Sequence, residues 1–551
     1  MTATLGNSIK IVFGAFTFGV LSTIFTPTPG LGAEKIAFFY PPFGEFSLST
    51  DSLEVFAKEG KITSEFSFYA SRLTPEQLAQ LRDLLSTRFQ LTPTLVSQFT
   101  YSEVGETVLR RLGKVLRTDS RKNGFFALRA AFILAATDPQ GITVVNVLRY
   151  FASDSVMLDF DESLKTVANL SELLKRRDEI VATIEQASVQ EATESQADFS
   201  KLPDLRASTS VKVQKQSFTL EDASRQQRTL PIDLYLPQSS SIGASPVIVI
   251  SHGVGDDRLA FNYLAQHLTS YGFAVAVLEH PGDNAKKFEQ FFAGLSGSPE
   301  PTELINRPLD IKFALDELQG RSQSDPNLQG KLNLQQVGVI GHSLGGYTAL
   351  AVAGANINFE EIRRFCADDN SLNLSTLLQC RASDLISANP LIDKRVKAII
   401  ALNPVSSVVL GQSELSQIKV PVMMVAGSAD IVTPAVPEQI RPFTWLTTPN
   451  KYLVIVRNGT HFSLLSQASI DRNTLPVPPG LIGQNPAIAR SYINALSVAF
   501  FKTHLVNQEE YRSYLSATYS KYISQETLNL SLVKSFSANQ LTQVAGKTSQ
   551  R

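Results

Sequence analysis

The sequence predicts an α/β protein with a mostly parallel central sheet, preceded by a mostly helical domain, and three observations carry that prediction. Short apolar runs at 247–250, 274–278, 337–340, 396–402, 422–425 and 452–456 recur between stretches of helical pattern. Near-continuous apolar runs are strands buried on both faces, and their alternation with helices is the signature of a parallel sheet covered on both sides. Two alternating segments, 211–218 and 230–236, open the series. Residues 34–190 instead carry helical periodicity, and 551 residues are too many for one compact core.

Taken from the start, Lys10 precedes an apolar stretch from Ile11 to Phe25, then Pro27, Pro29 and Leu31-Gly32-Ala33 before Glu34. Charged, apolar, then small is the order of a secretory signal peptide, here residues 1–33, cut after Ala33. At roughly 15 residues the stretch falls short of the ~20 that a spanning helix needs, so an uncleaved anchor is the rival reading. Thr74, Pro75 and Gln77 form a helix start with a capping box, and Leu78, Leu81, Leu84, Leu85 and Phe89 share one face beyond it. Further helical patterns cover 93–117, 124–137, 142–151 and 160–187, with a turn at Asp138-Pro139-Gln140-Gly141. Residues 34–190 contain no His or Cys, so this domain is either a packing partner or a cap. A Gln-, Glu-, Ser- and Ala-rich linker follows at 188–209, then a catalytic domain at 210–506 and a helical or flexible tail at 507–551. A net charge of −1 without basic runs excludes a nucleic-acid partner.

The chemistry centres on Gly341-His342-Ser343-Leu344-Gly345, a G-x-S-x-G between the run at 337–340 and a small, apolar helical stretch from Tyr347. Strand, tight turn, helix is the context of a nucleophile elbow, in which Ser343 sits strained and exposed at a helix N-terminus. A serine needs a base, and the base an orienting acid. Of six histidines, only His461 and His504 follow Ser343, and only His461 sits in a post-strand loop. Asp430, in a Gly-bearing turn after 422–425, is the candidate acid. The backbone N–H groups of Leu344 and of Val254, in Ser251-His252-Gly253-Val254-Gly255, are the expected oxyanion donors. Asp256 and Asp257 lack the His or Cys company of a zinc site and read as solvated loop residues.

With those residues in hand, 211–506 resembles the serine α/β-hydrolases of the platelet-activating-factor acetylhydrolase, dienelactone-hydrolase-like and polyester-hydrolase group. The shared pieces are 230–237, Ser251-His252-Gly253, 272–280, 341–346, 427–434 and 459–462. Dienelactone hydrolases proper have a cysteine where this chain has Ser343. Animal platelet-activating-factor acetylhydrolases take their acid after the preceding strand, where this chain has Asn403, which cannot serve. The resemblance is therefore closer to bacterial members with an acid at the Asp430 position, and Asn403 is expected to be dispensable. Residues 34–190 resemble the uncharacterised N-terminal domain of cyanobacterial α/β hydrolases, which implies no activity.

These readings lead to an exported serine hydrolase, in the periplasm, a lumen or outside the cell, that cleaves a small-molecule or lipid ester through an acyl-enzyme. No metal or organic cofactor is implied, and the residues leave the acyl length and oligomeric state open. Peripheral membrane contact is compatible with a lipid ester. The alternative is a hydrolase-fold binding or scaffold protein without turnover. The only two cysteines, Cys366 and Cys380, are expected to pair once exported, within a helical lid insertion at 356–394. Two buried free thiols are the bland alternative.

Overall fold

The computed structural model describes residues 32–548 except 41, 194–196, 239–242, 368–372, 387–389, 473–476 and 478. Of the expected leader, only Gly32 and Ala33 are among the described residues. The chain divides into two compact units, Met1–Tyr101 with Gly105–Lys165, and Ser102–Val104 with Thr166–Arg551.

The first unit is helical as expected, and the start signal at Thr74 is used. The helix Pro75–Ser86 carries both halves of the capping box, Thr74 and Gln77 bonding each other's backbone N–H. The helices Pro93–Thr100, Phe125–Ala135 and Val144–Arg149 match the expected stretches. The periodicity gave no sign of a small mixed sheet of β1 (Lys35–Tyr40), β2 (Gly44–Ser49), β3 (Leu116–Arg117) and β4 (Ser155–Leu158), in the order β2-β1-β4-β3. Runs of two to six residues are too short to outweigh the helical patterns around them. Ala33 is buried with Leu53, Phe56, Leu128 and Val156 in this unit's core, and its carbonyl accepts a bond from Thr50 Oγ1.

Two expected boundaries need correction. The division falls inside the helix Phe160–Thr193, whose Ile180, Val181 and Ile184 are buried in the core of the second unit. The segment read as a linker also packs there, with Phe199 and Leu205 buried and the Leu205 carbonyl accepting from His267 Nε2–H. A few large apolar side chains decide the matter, where the polar composition around them suggested free chain.

The second unit is built on nine strands: β5 (Lys212–Asp222), β6 (Arg228–Gln238), β7 (Ser245–Ser251), β8 (Ala274–Leu278), β9 (Leu332–His342), β10 (Val396–Leu402), β11 (Val422–Gly427), β12 (Lys451–Val456) and β13 (Leu530–Val533). Their order is β13-β12-β11-β10-β9-β7-β8-β6-β5. The run from β8 through β7, β9, β10, β11 to β12 is parallel, while β5, β6 and β13 are antiparallel to their neighbours. Side chains alternate between two apolar layers, as the pleat requires. Val247 and Val249 join Ile311, Leu315 and Leu350 on one face, and Ile248 and Ile250 join Leu264, Leu496 and Phe500 on the other. The tail at 507–551 is not merely helical or flexible: β13 pairs with β12 in the register Leu453↔Val533, and Phe536 is buried. The insertion at 356–394 carries the helices Phe359–Cys366 and Leu374–Cys380, joined by a Cys366–Cys380 disulfide with 5.6 Å between Cα atoms. No described helix is long and apolar enough to cross a membrane.

Candidate active site

β9 ends at His342, and the helix Leu344–Val352 starts two residues later, so Ser343 alone makes the turn. Its φ of 57° and ψ of −118° are a conformation that L-residues rarely hold, and the neighbours over-determine it. Ser343 N–H donates to the Leu402 carbonyl at 2.9 Å, and its own carbonyl accepts from Val405 N–H at 3.2 Å. The elbow glycines allow the crossing: a Cβ on Gly341 would lie 1.8 Å from the Gly345 carbonyl oxygen, and one on Gly345 2.2 Å from that of Ser251.

The loops after β11 and β12 bring the next two residues together. Asp430 is 4% exposed. Its Oδ1 accepts the N–H groups of Val432 and Thr433, both at 2.8 Å. Its Oδ2 accepts from Thr433 Oγ1 at 2.8 Å and from His461 Nδ1 at 2.7 Å. The carboxylate can only accept, so Nδ1 carries the proton and Nε2 is left as a base. The His461 carbonyl accepts from His342 Nε2–H at 2.9 Å, which ties the residue before the serine to the loop of the base. Burial, then the neighbouring His461, hold the His342 pKa well below the ordinary range, so its ring stays neutral.

Ser343, His342, His461, Thr433 and Val254 line one cavity of about 230 Å³ in the second unit. Its walls are largely apolar, with Leu374 and Leu378 from the disulfide-tied insertion joining Val405, Val432, Phe462 and Ile482. Among the described residues, neither Leu344 N–H nor Val254 N–H has a protein acceptor. Leu344 owes this to its place as the first residue of its helix.

The loop carrying Val254 is held from beneath by a residue that the sequence reading passed over. Arg307, fully buried, donates Nη1–H to the His252 carbonyl at 2.6 Å and Nη2–H to that of Gly253 at 3.2 Å. The same guanidinium grips Asp283 through Nε and Nη2 at 2.8 and 2.6 Å. The Asp283 carbonyl in turn accepts Gly255 N–H at 2.8 Å. His252 accepts His280 N–H on Nε2 at 3.0 Å, so its Nδ1–H donates to the Gly253 carbonyl at 2.6 Å. Behind it, Ser251 Oγ lies 2.9 Å from His280 Nε2, and His280 Nδ1 lies 2.9 Å from Asp310 Oδ2, with all three side chains sealed from solvent.

Two expectations change here. Asp257 is 8% exposed and paired with Arg472, and Asp256 accepts from Ser469 Oγ at 2.5 Å, so neither is a solvated loop residue. Asn403 is not idle. Its Oδ1 accepts Gly427 N–H at 3.0 Å, its Nδ2–H donates to the Thr460 carbonyl at 3.3 Å, and its own carbonyl lies 3.0 Å from Thr433 Oγ1, whose single proton can go to it or to Asp430. It thus ties the loop of Asp430 to that of His461. Among the described residues no cluster of His, Cys, Asp and Glu is placed to hold a metal.

The mostly parallel sheet with this serine elbow is the α/β-hydrolase fold, and comparison with known proteins agrees. A family described as "Alpha/beta hydrolase of unknown function" matches residues 32–159, and one described as "Platelet-activating factor acetylhydrolase, isoform II" matches residues 225–306. More narrowly, the chain is similar to a platelet-activating factor acetylhydrolase of Cavia porcellus, 27% identical over 143 residues. That stretch is 21% of this chain and 33% of the relative, so the chain matches about a third of the relative's length.

Proposed function

We propose that this protein is an exported serine hydrolase that cleaves carboxylic esters through an acyl-enzyme. The observation that carries the reading is a strained Ser343 on the same cavity as a His461 whose Nδ1 is bonded to Asp430 at 2.7 Å. Ser343 Oγ attacks the ester carbonyl carbon while His461 Nε2 takes its proton, and Asp430 steadies the resulting imidazolium. The oxyanion forms against the N–H groups of Leu344 and Val254. The intermediate collapses, the alcohol leaves with the proton from His461, and a water activated by the same nitrogen frees the acid. The similarity to a platelet-activating factor acetylhydrolase supports an ester substrate, and the largely apolar cavity favours one with an aliphatic portion.

Export belongs to this reading because the Cys366–Cys380 disulfide suits an oxidising compartment. The cleavage point moves upstream of Gly32. Ala33 is buried, and Gly32 lies so close to the Arg149 carbonyl that a Cβ would meet it at 1.3 Å, so a cut after Ala33 would remove packed residues.

The test is Ser343→Ala in purified protein, with nitrophenyl esters and a fluorophosphonate probe. Turnover should fall on the order of 10⁴-fold or more, and labelling of the wild type should map to Ser343. Unchanged turnover in Ser343→Ala would sink the assignment. A wild type that neither labels nor turns over would leave binding as the use of the fold.

A further inference from the structure

The cavity wall formed by Leu374 and Leu378 belongs to a seven-residue helix, Leu374–Cys380, on an insertion. So short a helix has little stability of its own, and its position over Ser343 must come from what it is tied to. One tie is the disulfide at Cys380. A second is Gln379, its neighbour, which is fully buried and does not line the cavity.

Gln379 uses both ends of its amide. Its Oε1 accepts Val408 N–H at 2.7 Å and Val409 N–H at 2.9 Å. Its Nε2 donates to Glu438 Oε1 at 3.0 Å and to Ser375 Oγ at 3.1 Å on its own helix. Glu438 is also fully buried, and every donor bonded to it is uncharged: the N–H groups of Ser406 and Ser407 at 2.9 and 3.0 Å, Ser407 Oγ at 2.7 Å, and Gln379. A buried carboxylate without a cation is costly unless every lone pair finds a donor, so an arrangement of this kind is rigid or fails. Glu438 and its buried neighbour Gln439 lie in a π-helical turn, Val436–Ile440. Such wide turns are frequent at functional sites. Gln439 Nε2 donates to the Pro404 carbonyl at 2.9 Å, and the next residue, Val405, donates to the Ser343 carbonyl. An unbroken chain of bonds therefore runs from the nucleophile's backbone through 404–409 and Glu438 to the helix that carries Leu374 and Leu378.

We propose that Gln379 and Glu438 form a specificity-determining clasp, which fixes the Leu374 and Leu378 wall at a set distance from Ser343 and so limits the chain size of the esters accepted. This rests on the ester-hydrolase reading. The clasp acts through the wall and touches no substrate, so Gln379 and Glu438 are positioning residues.

The experiment exchanges the two functional groups. In Gln379→Glu, a second carboxylate faces Glu438 where a donor stood, and two such groups in a dry site repel. In the double variant Gln379→Glu with Glu438→Gln, the bond returns with its direction reversed, because the amide introduced at position 438 donates its NH₂ while its oxygen still accepts from Ser406 and Ser407. Wild type, Gln379→Glu, Gln379→Met and the double variant are compared on nitrophenyl esters from acetate to octanoate and on alkyl acetates of rising length. Folding is checked by circular dichroism, and active sites are counted with the fluorophosphonate.

The single variants should raise the long-to-short ratio of kcat/KM in at least one series by about tenfold, the scale on which apolar pockets discriminate. Turnover of the shortest esters should stay within about threefold of wild type, and the double variant should restore the ratio. An unchanged ratio in folded Gln379→Met, or a folded double variant that fails to restore it, overturns the clasp. A wild type that neither labels nor hydrolyses any ester overturns the underlying ester-hydrolase reading instead, so the two failures are told apart.

Discussion

Asp430→Asn tests the site where the geometry makes its sharpest demand. Oδ1 of Asp430 accepts two backbone N–H groups, from Val432 and Thr433. An asparagine would keep its oxygen on those donors, because its NH₂ cannot accept from them. The NH₂ is then driven to the Oδ2 position, 2.7 Å from His461 Nδ1. Two donors cannot share that bond, so the ring must take the other tautomer, with Nδ1 bare and the proton on Nε2. A protonated Nε2 cannot accept the serine's proton. The fold should survive, since Thr433 Oγ1 can accept from the new NH₂ and turn its own proton to the Asn403 carbonyl, 3.0 Å away. The expected loss is roughly 10⁴-fold in kcat, about 5 kcal/mol in the barrier, with KM little changed. Steady-state hydrolysis of a nitrophenyl ester measures it, the rate of fluorophosphonate labelling should fall in parallel, and circular dichroism should show a native spectrum. A folded Asp430→Asn within tenfold of wild type would mean that His461 takes its orientation elsewhere and that the tautomer argument is wrong.

Three further outcomes follow from the same structure. Arg307→Met should destabilise the protein by about 3–5 kcal/mol in urea melts, because it strands Asp283 in the interior. Pairing it with Asp283→Leu should recover much of that stability but not ester turnover, since the His252 and Gly253 carbonyls stay unheld, and recovery of both would refute a role for Arg307 at the loop. Cys366→Ser with Cys380→Ser should cost roughly 3 kcal/mol, given the separation of 14 positions, and peptide maps of non-reduced protein should show the bridged pair; alkylatable thiols at both positions would count against it. His267 has its pKa held down to about 4 by burial, from an ordinary 6.5, so between those values the unfolded chain binds a proton that the native one does not. The stability of the wild type relative to His267→Gln should therefore fall as pH drops through that window, and a constant gap in denaturant titrations would refute it.

What the sequence could show was set by the reach of each signal. The parallel strands were legible because burial on both faces writes continuous apolar runs, and the elbow because its glycines must sit within van der Waals contact of neighbouring backbone. Asp430 and His461, which the structure bonds to each other, could be named from chain order and strand ends, which needs no knowledge of distance. β13 was not legible: Leu530–Val533 is four residues long, and what makes it a strand is a partner some 80 positions away in the register Leu453↔Val533. Arg307 gave no signal either. It is the fifth residue of the helix Glu303–Ser324, and its two carbonyl partners come from a loop more than 50 positions earlier. Asn403 was dismissed as an acid, correctly by its chemistry, but an amide can brace two loops, and that role follows from position alone.

The sealed Ser251, His280 and Asp310 repeat the residue types of Ser343, His461 and Asp430, and in the sealed set the serine-to-histidine and histidine-to-carboxylate contacts are both 2.9 Å. What it lacks is a route for a molecule to arrive and a backbone twisted to meet it, since Ser251 closes an ordinary strand. Its histidine is also disarmed, because burial, then the nearby Arg307 charge, hold its pKa down to about 4. On the proposed assignment the sealed trio is a decoy, and what separates the two is a strained serine on an open cavity, not the company it keeps.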